Sequence, residues 1–150
     1  IAGWAVEMKG NWLESSEYFK KALEIEPENK FALLKYAYSI AAQSKTQEAL
    51  EIYDRLKEKF PDDYKIYSDL GVIYSSLGNI ELAYENVKKA VELNPFYETY
   101  LRYAAILERR GDLREAVRYL KLYLENTPED ETERKMRTRN TLAAWERKLK

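Results

Sequence analysis

The side chains that could do chemistry in this sequence are carboxylates, hydroxyls, amines and guanidinium groups, because it contains neither cysteine nor histidine. That composition excludes thiol and Ser-His nucleophiles, disulfides and the usual ligands of zinc, copper and haem. Carboxylates could act as a general acid and base, but the adjacent Asp62 and Asp63 lack the opposed geometry that such catalysis needs. The five glycines form no phosphate-binding pattern. We therefore expect no enzyme activity, no metal and no cofactor.

Charge and hydropathy narrow the class of protein further. Of 150 residues, 34% are charged and 45% are hydrophobic, which is typical of a well-folded domain. The net charge of -1 argues against a surface built wholly for nucleic acid or anionic lipid. No run reaches the roughly 20 apolar residues of a membrane span, and residues 1–10 lack a signal-peptide pattern. Because the first residue is not Met, we interpret the chain as processed or excised, with flanking targeting signals lost and a cytoplasmic location as the default.

Prolines punctuate the sequence at a nearly constant interval. They occur at positions 27, 61, 95 and 128, which are 34, 34 and 33 residues apart. A turn-forming residue lies 17 positions before each proline: Gly10, Ser44, Gly78 and Gly111. Between these marks apolar residues recur every three or four positions, which predicts two amphipathic helices in each repeat. The predicted helices are 1–9, 12–25, 30–43, 46–60, 63–77, 80–93, 97–110, 113–126 and 129–148.

Short polar side chains indicate where several of these helices begin. Asn11, Asn79 and Asp112 each follow a turn residue, where a side-chain oxygen can accept from the first amides of a helix. Thr127 followed by Pro128 predicts a hydroxyl cap for the last helix, because proline fits the first helical position.

The final segment differs from the repeats in charge. Residues 131–150 carry seven basic side chains against three acidic ones and few apolar ones. We expect a helix that caps the open end of the repeats with a narrow apolar stripe and exposes its basic face. The same helix motivates an alternative, nucleic-acid binding, together with the nearby Arg109, Arg110, Arg114 and Arg118. Interleaved glutamates and scarce aromatic stacking partners favour the capping interpretation.

The third repeat has a specific order of large and small residues. Its residues Tyr67, Leu70, Gly71, Tyr74, Ala83, Val87, Ala90 and Pro95 lie at the spacing of the tetratricopeptide pattern. The chain therefore resembles the tetratricopeptide repeat family. The resemblance implies an all-α, right-handed superhelix, or solenoid, of tandem helix-turn-helix repeats with a C-terminal capping helix. One domain, residues 1–150, would hold a partial repeat at about 1–29, full repeats at 30–63, 64–96 and 97–130, and the capping helix at 131–150.

A small residue recurs in the first helix of each repeat, where it would let the second helix approach closely. These small residues are Gly3, Ala37, Gly71 and Ala104. Larger side chains of the second helix would fill the remaining gap. They are Phe19, Tyr53, Val87 and Leu120. Leu56 and Tyr123 replace an alanine of the other repeats, so we expect wider helix spacing around them.

The resemblance also implies a function, because members of this family usually bind another polypeptide on the concave surface lined by the first helix of each repeat. In helix 30–43 a second apolar stripe lies beside the one that meets its partner helix. We predict a groove with an aromatic N-terminal half and a mixed-charge C-terminal half. Its candidate residues are Trp4, Phe31, Leu34, Lys35, Tyr38, Asp69, Val72 and Arg102. For Phe31, packing against the preceding repeat is an equal alternative.

The kind of partner follows from charge and from exposed apolar surface. Asp69 and Glu98 would repel the acidic chaperone tails that some family members bind, so we disfavour that mode. Thirteen tyrosines and an incomplete first repeat would leave apolar surface for a homo-oligomer, or for docking within a larger protein. The predicted role is a scaffold or adaptor for a protein or peptide, with nucleic acid disfavoured and no membrane span.

Overall fold

The computed structural model describes residues 11–129 and 132–150, and every regular element in these ranges is an α-helix. The described helices are α1 Trp12–Ile25, α2 Lys30–Ala42, α3 Thr46–Lys59, α4 Tyr64–Ser76, α5 Ile80–Leu93, α6 Tyr97–Arg110, α7 Leu113–Asn126 and α8 Thr132–Lys148. Their bounds agree with the predicted ones to within three residues, so the all-α class and the helix pattern are confirmed. The predicted helix at 1–9 lies outside the described residues.

The chain divides into two compact units, and the division falls inside α4, after Ile66. In unit 1, α2 packs against both α1 and α3. In unit 2, α6 packs against α5 and α7, and α8 packs against α7. Within each unit, helices that follow one another along the chain are therefore neighbours in space, as short connections between them require.

The predicted turn residues have the backbone conformation that ends a helix. Ser44, Gly78 and Gly111 have positive φ angles of 67°, 80° and 95°. In each turn, the amide of the following residue donates to the carbonyl five residues earlier, at 2.8 to 2.9 Å. This bond satisfies a carbonyl that the last helical turn leaves open. The turn positions read from the repeat period are thus confirmed for these three residues.

Two of the predicted helix caps form, and two do not. The side-chain oxygens of Asn11 and Asn79 accept from the amides three residues on, both at 3.2 Å. In the described structure the Asp112 carboxylate caps no amide, since Arg110 Nη1 donates to it at 2.7 Å. The Thr127 hydroxyl donates back to the Tyr123 carbonyl at 2.5 Å, and neither Pro128 nor Glu129 is helical. The cap predictions at Asp112 and Thr127 were therefore wrong.

Small residues are buried where the helices of a repeat approach each other. Ala37 and Ala104 are fully buried, and Gly71 is buried against Val87. The larger residues predicted to fill the gap, Phe19, Tyr53, Val87 and Leu120, are all buried as well. The predicted burial of both sets is therefore confirmed at the described positions, and the predicted contact between them is seen at Gly71 and Val87.

The core of unit 2 is rich in tyrosine. Tyr103 packs against the rings of Tyr84 and Tyr119, with ring centroids 5.9 and 4.7 Å away. Burial raises the pKa of Tyr103, and a hydrogen bond with Tyr84 adds to this rise. Tyr123 is fully buried, and its hydroxyl has no hydrogen-bond partner among the described residues. Burial of this kind favours the neutral form of the Tyr103 phenol.

The last helix, α8, packs against α7 through an unexpected set of side chains. Trp145 lies against the core of unit 2, as its apolar character predicts. Met136, however, is 59% exposed, while Lys135 and Thr138 are buried. Lys135 Nζ pairs with Glu129 Oε1 at 3.2 Å, so the buried amine keeps an ionic partner. No helix in the described part of the chain is long and apolar enough to cross a bilayer.

Candidate functional site

A stripe of two charged and two apolar residues runs along α6, and a polar stripe with the same spacing runs along α8. Positions 98, 101, 102 and 105 on α6 and positions 134, 137, 138 and 141 on α8 share one spacing. Residues at this spacing lie on one side of a helix. Since α7 packs against both helices, it holds them next to each other. The two stripes therefore meet in unit 2.

An open cleft of about 370 Å³ lies between these stripes. We call it the Arg102 cleft. It is lined by Glu98, Leu101, Arg102, Arg134, Arg137, Thr138 and Thr141. Three guanidinium groups and one carboxylate give the lining a positive balance, which suits a ligand that carries negative charge.

Arg102 is held in place from the neighbouring helix α4. Its Nη1 donates to Ser68 Oγ at 2.8 Å and lies 3.9 Å from Asp69 Oδ1. The Arg102 side chain is nevertheless 40% exposed. An arginine that is oriented on one side and open on the other is suited to bind a further acceptor.

A second arginine repeats this contact one heptad further along α6. Arg109 Nη1 donates to the carbonyl oxygen of Ser75 at 3.2 Å and also to its hydroxyl. Ala105 lies between the two arginines in sequence and is exposed. The face of α6 beside α4 thus carries two oriented cations, separated by a short, open position.

Three of the predicted site residues come together in unit 2. Asp69 and Arg102 lie on adjacent helices and within ion-pair distance, at 3.9 Å. Val72 is half-buried on α4, one turn beyond Asp69. Arg102 also lines the cleft, so it joins the predicted mixed-charge surface to a cavity.

Two of the predicted site residues in unit 1, Phe31 and Tyr38, lie on α2 and contact α1. Phe31 is 54% exposed, and its ring meets Phe19 edge-on at 5.9 Å. Lys35 Nζ lies 5.9 Å from the centroid of the Phe31 ring. Tyr38 meets Trp12 edge-on at 5.6 Å. Phe31 therefore packs against the preceding helix, as the alternative prediction states, but about half of the Phe31 side chain remains exposed.

Leu34, predicted to line the groove, is buried instead. Leu34 is only 6% exposed, so it belongs to the core of unit 1 and offers a partner almost no surface. Leu34 is buried because α2 packs against both α1 and α3. Trp4 lies outside the described residues.

Sequence reasoning missed most of the cleft. Arg134 and Arg137 were assigned to a solvated cap, although their spacing from Thr138 and Thr141 matches the stripe on α6. The repeat period gave no help here, because equivalent positions of the two stripes are 36 residues apart rather than 33 or 34.

Comparison with known proteins identifies the repeats and the fold. Models of the tetratricopeptide repeat match residues 31–63 and 64–97. BBSome complex member BBS4 of Mus musculus is 29% identical over 82% of this chain and 24% of its own length. TPR repeat-containing protein MJ0940 of Methanocaldococcus jannaschii is 33% identical over 66% of this chain and 31% of its own length. The chain thus spans about a quarter to a third of these curated relatives.

Solved structures extend the likeness over almost the whole chain. The APC/C hetero-tetramer Cut9-Hcn1 matches with a TM-score of 0.79 at 21% identity, over 99% of this chain and 29% of that one. MamA from Desulfovibrio magneticus RS-1 matches with a TM-score of 0.65 at 22% identity, over 82% of this chain and 70% of that one. At these identities the matches show the fold alone, which is the tandem helical-hairpin fold predicted from the sequence.

Proposed function

Because the chain belongs to the tetratricopeptide repeat family, we propose that it is a protein-interaction scaffold that binds a segment of a partner protein in unit 2. The Arg102 cleft carries the proposal, since it is an open cavity on the first helix of a repeat. Asp69, which lies within ion-pair distance of Arg102, and Val72 extend the same surface onto α4. We propose a binding role without catalysis.

Unit 1 supplies a second surface of different chemistry. Phe31, Lys35 and Tyr38 combine two partly open aromatic rings with a cation on the helix α2. Aromatic side chains of this kind often anchor a protein interface. We propose that this surface contacts a separate part of the partner, with Leu34 supporting it from the core.

The names of the relatives suggest the setting in which such a scaffold works. One relative is a BBSome complex member, and another is subunit 3 of the anaphase-promoting complex in Dictyostelium discoideum. Because this chain spans a minor part of each relative's length, we propose that it serves as a docking module within a larger assembly.

Filling the surface at Ala105 tests the proposal. We expect Ala105→Trp to reduce partner binding strongly, because the new ring would cover the open position between Arg102 and Arg109. Ala143→Trp is a matched control, since Ala143 is also exposed. It lies two residues past Thr141, and successive helical residues turn by about 100°, so it points away from the cleft.

The two variants and the parent chain would be immobilised and the proteins that each retains from a lysate quantified. Circular dichroism and the melting temperature check that both variants remain folded. Selective loss of retained proteins by Ala105→Trp supports the proposal. Equal retention by all three chains would overturn it.

A further inference from the structure

We propose that the chain associates with a second copy of itself, through the exposed face of α3 in one copy and the exposed face of α7 in the other. The proposed function uses side chains of α2, α4, α6 and α8, so the two roles are independent of each other. Self-association is inferred from two grooves of similar volume and opposite charge.

The two grooves lie along α3 and α7. The groove along α3 has a volume of about 430 Å³, and its lining includes three carboxylates and one cation: Glu48, Glu51, Asp54 and Arg55. The groove along α7 has a volume of about 420 Å³, and its lining includes three cations and one carboxylate: Arg114, Arg118, Lys121 and Glu125. Surfaces of opposite charge attract each other when two proteins meet.

Two repeat positions give α3 and α7 their opposite charges. One position holds glutamate at 17, 51 and 85 but arginine at 118. Another holds lysine at 20, 88 and 121 but aspartate at 54. All eight side chains are exposed, and a charge of either sign keeps a helix face hydrated. Hydration alone therefore does not account for one acidic helix and one basic helix.

The acidic and basic side chains share one spacing, which allows them to pair. Glu51, Asp54 and Glu58 follow one another at steps of three and four residues, so they lie on one side of α3. On α7 the steps occur in the reverse order, four and then three, at Arg114, Arg118 and Lys121.

An antiparallel pairing of the two helices brings these charges into register. It places Glu58 opposite Arg114, Asp54 opposite Arg118 and Glu51 opposite Lys121. A parallel pairing at equivalent repeat positions keeps only two attractive pairs, and it places Glu58 opposite Glu125. The charges therefore favour the antiparallel orientation.

The flanks of the antiparallel pairing are also complementary. On one flank Arg55 falls beside Glu115, which lies 3.1 Å from Arg118 within its own copy. On the other flank Leu50 falls beside Leu124, and both are half-buried in the described structure. The contact thus combines alternating charges with an apolar pair, as paired helices commonly do. Because one chain carries both halves of this match, a second copy is the partner that fits.

Sedimentation equilibrium of the 150-residue chain measures self-association directly. Exposed ion pairs are individually weak, so we expect the average mass to rise above that of the monomer at roughly 0.1–1 mM protein in low salt. We expect added salt to return the mass toward that of the monomer, because salt screens exposed charges.

Exchange of the charges at one pair tests the register. Asp54→Lys and Arg118→Glu each make this pair repulsive, so each should weaken self-association by about tenfold. The double variant Asp54→Lys/Arg118→Glu restores opposite charges and should recover most of the parent affinity. Glu17→Lys is the control, since Glu17 is exposed on α1 and its replacement changes the net charge as Asp54→Lys does.

Each outcome decides the proposal. Weakening by both single variants, recovery by the double variant and little effect of Glu17→Lys support it. A double variant as weak as the single ones, equal weakening by Glu17→Lys, or association that no variant changes would overturn it. A parent chain that stays monomeric up to about 1 mM in low salt would overturn it as well, and that measurement needs no variant to fold.

Discussion

Gly71 is the position where a side chain would most disturb the packing of unit 2. A Cβ atom added there would overlap Cγ2 of Val87 and lie 3.5 Å from the Ala83 carbonyl oxygen. We expect Gly71→Ala to lower the free energy of unfolding by about 1–3 kcal/mol, since buried overpacking strains the core. Chemical denaturation followed by circular dichroism would measure the loss.

The partner residue Val87 supplies the control for this prediction. Val87→Ala removes the methyl group that a Cβ atom at position 71 would overlap. The double variant should therefore lose less stability than the two single losses combined, because the space freed by one change receives the other. Simple additivity would show that the contact between these residues does not set the requirement for glycine.

At the scale of single residues, the burial of small residues was easier to predict from the sequence than the exposure of large ones. The repeat period placed small residues at 37, 71 and 104, and all three are buried. The exposure of individual side chains on α2 was harder to predict, because this helix has two apolar faces. Whether Leu34 or Phe31 is covered depends on where α1 and α3 lie, which periodicity alone does not determine.

The start of α5 depends on one side chain. Asn79 Oδ1 accepts from the amide of Leu82 at 3.2 Å, and Asn79 itself is exposed. We expect Asn79→Ala to lower the free energy of unfolding by about 1 kcal/mol, because an amide of the first turn loses its acceptor. Thermal unfolding of the chain, followed by circular dichroism, would detect the change.

Asp112 provides the comparison, since it occupies the same position before α7 without capping an amide in the described structure. Its carboxylate pairs instead with Arg110, at 2.7 Å. We expect Asp112→Ala to cost about half as much as Asn79→Ala or less, since a partly exposed ion pair contributes little. A larger loss at Asp112 than at Asn79 would contradict this account of the caps.

At the scale of helices, the ends were predictable wherever local chemistry had no competitor. The turns at Ser44, Gly78 and Gly111 depend on backbone conformation alone, and each formed as predicted. Asp112 and Thr127 each had another partner nearby, an arginine side chain and a carbonyl of the preceding helix. Which hydrogen-bond partner such a side chain takes depends on the three-dimensional structure, and the spacing of residues in the sequence does not reveal it.

At the scale of the whole molecule, the cleft was the least predictable feature. It needs α6 and α8 side by side, and these belong to a repeat and to a segment that departs from the repeat. The spacing of each stripe could be recognised in the sequence separately. Their meeting depends on α7, which packs against both. Sites formed by the last repeat and its capping helix therefore require a structure.

Tandem repeats stabilise themselves through local contacts, so damage to one unit should stay largely within it. Leu56 in unit 1 and Leu120 in unit 2 are both buried, and replacing either with alanine should cost about 2–5 kcal/mol. Amide hydrogen exchange measured by mass spectrometry would locate the loss. We expect Leu56→Ala to speed exchange most in α1 to α3 and Leu120→Ala to speed it most in α5 to α8, so each variant is the control for the other. Equal acceleration in all helices by both variants would mean that the chain opens as one cooperative body, because only global unfolding spreads a local defect evenly.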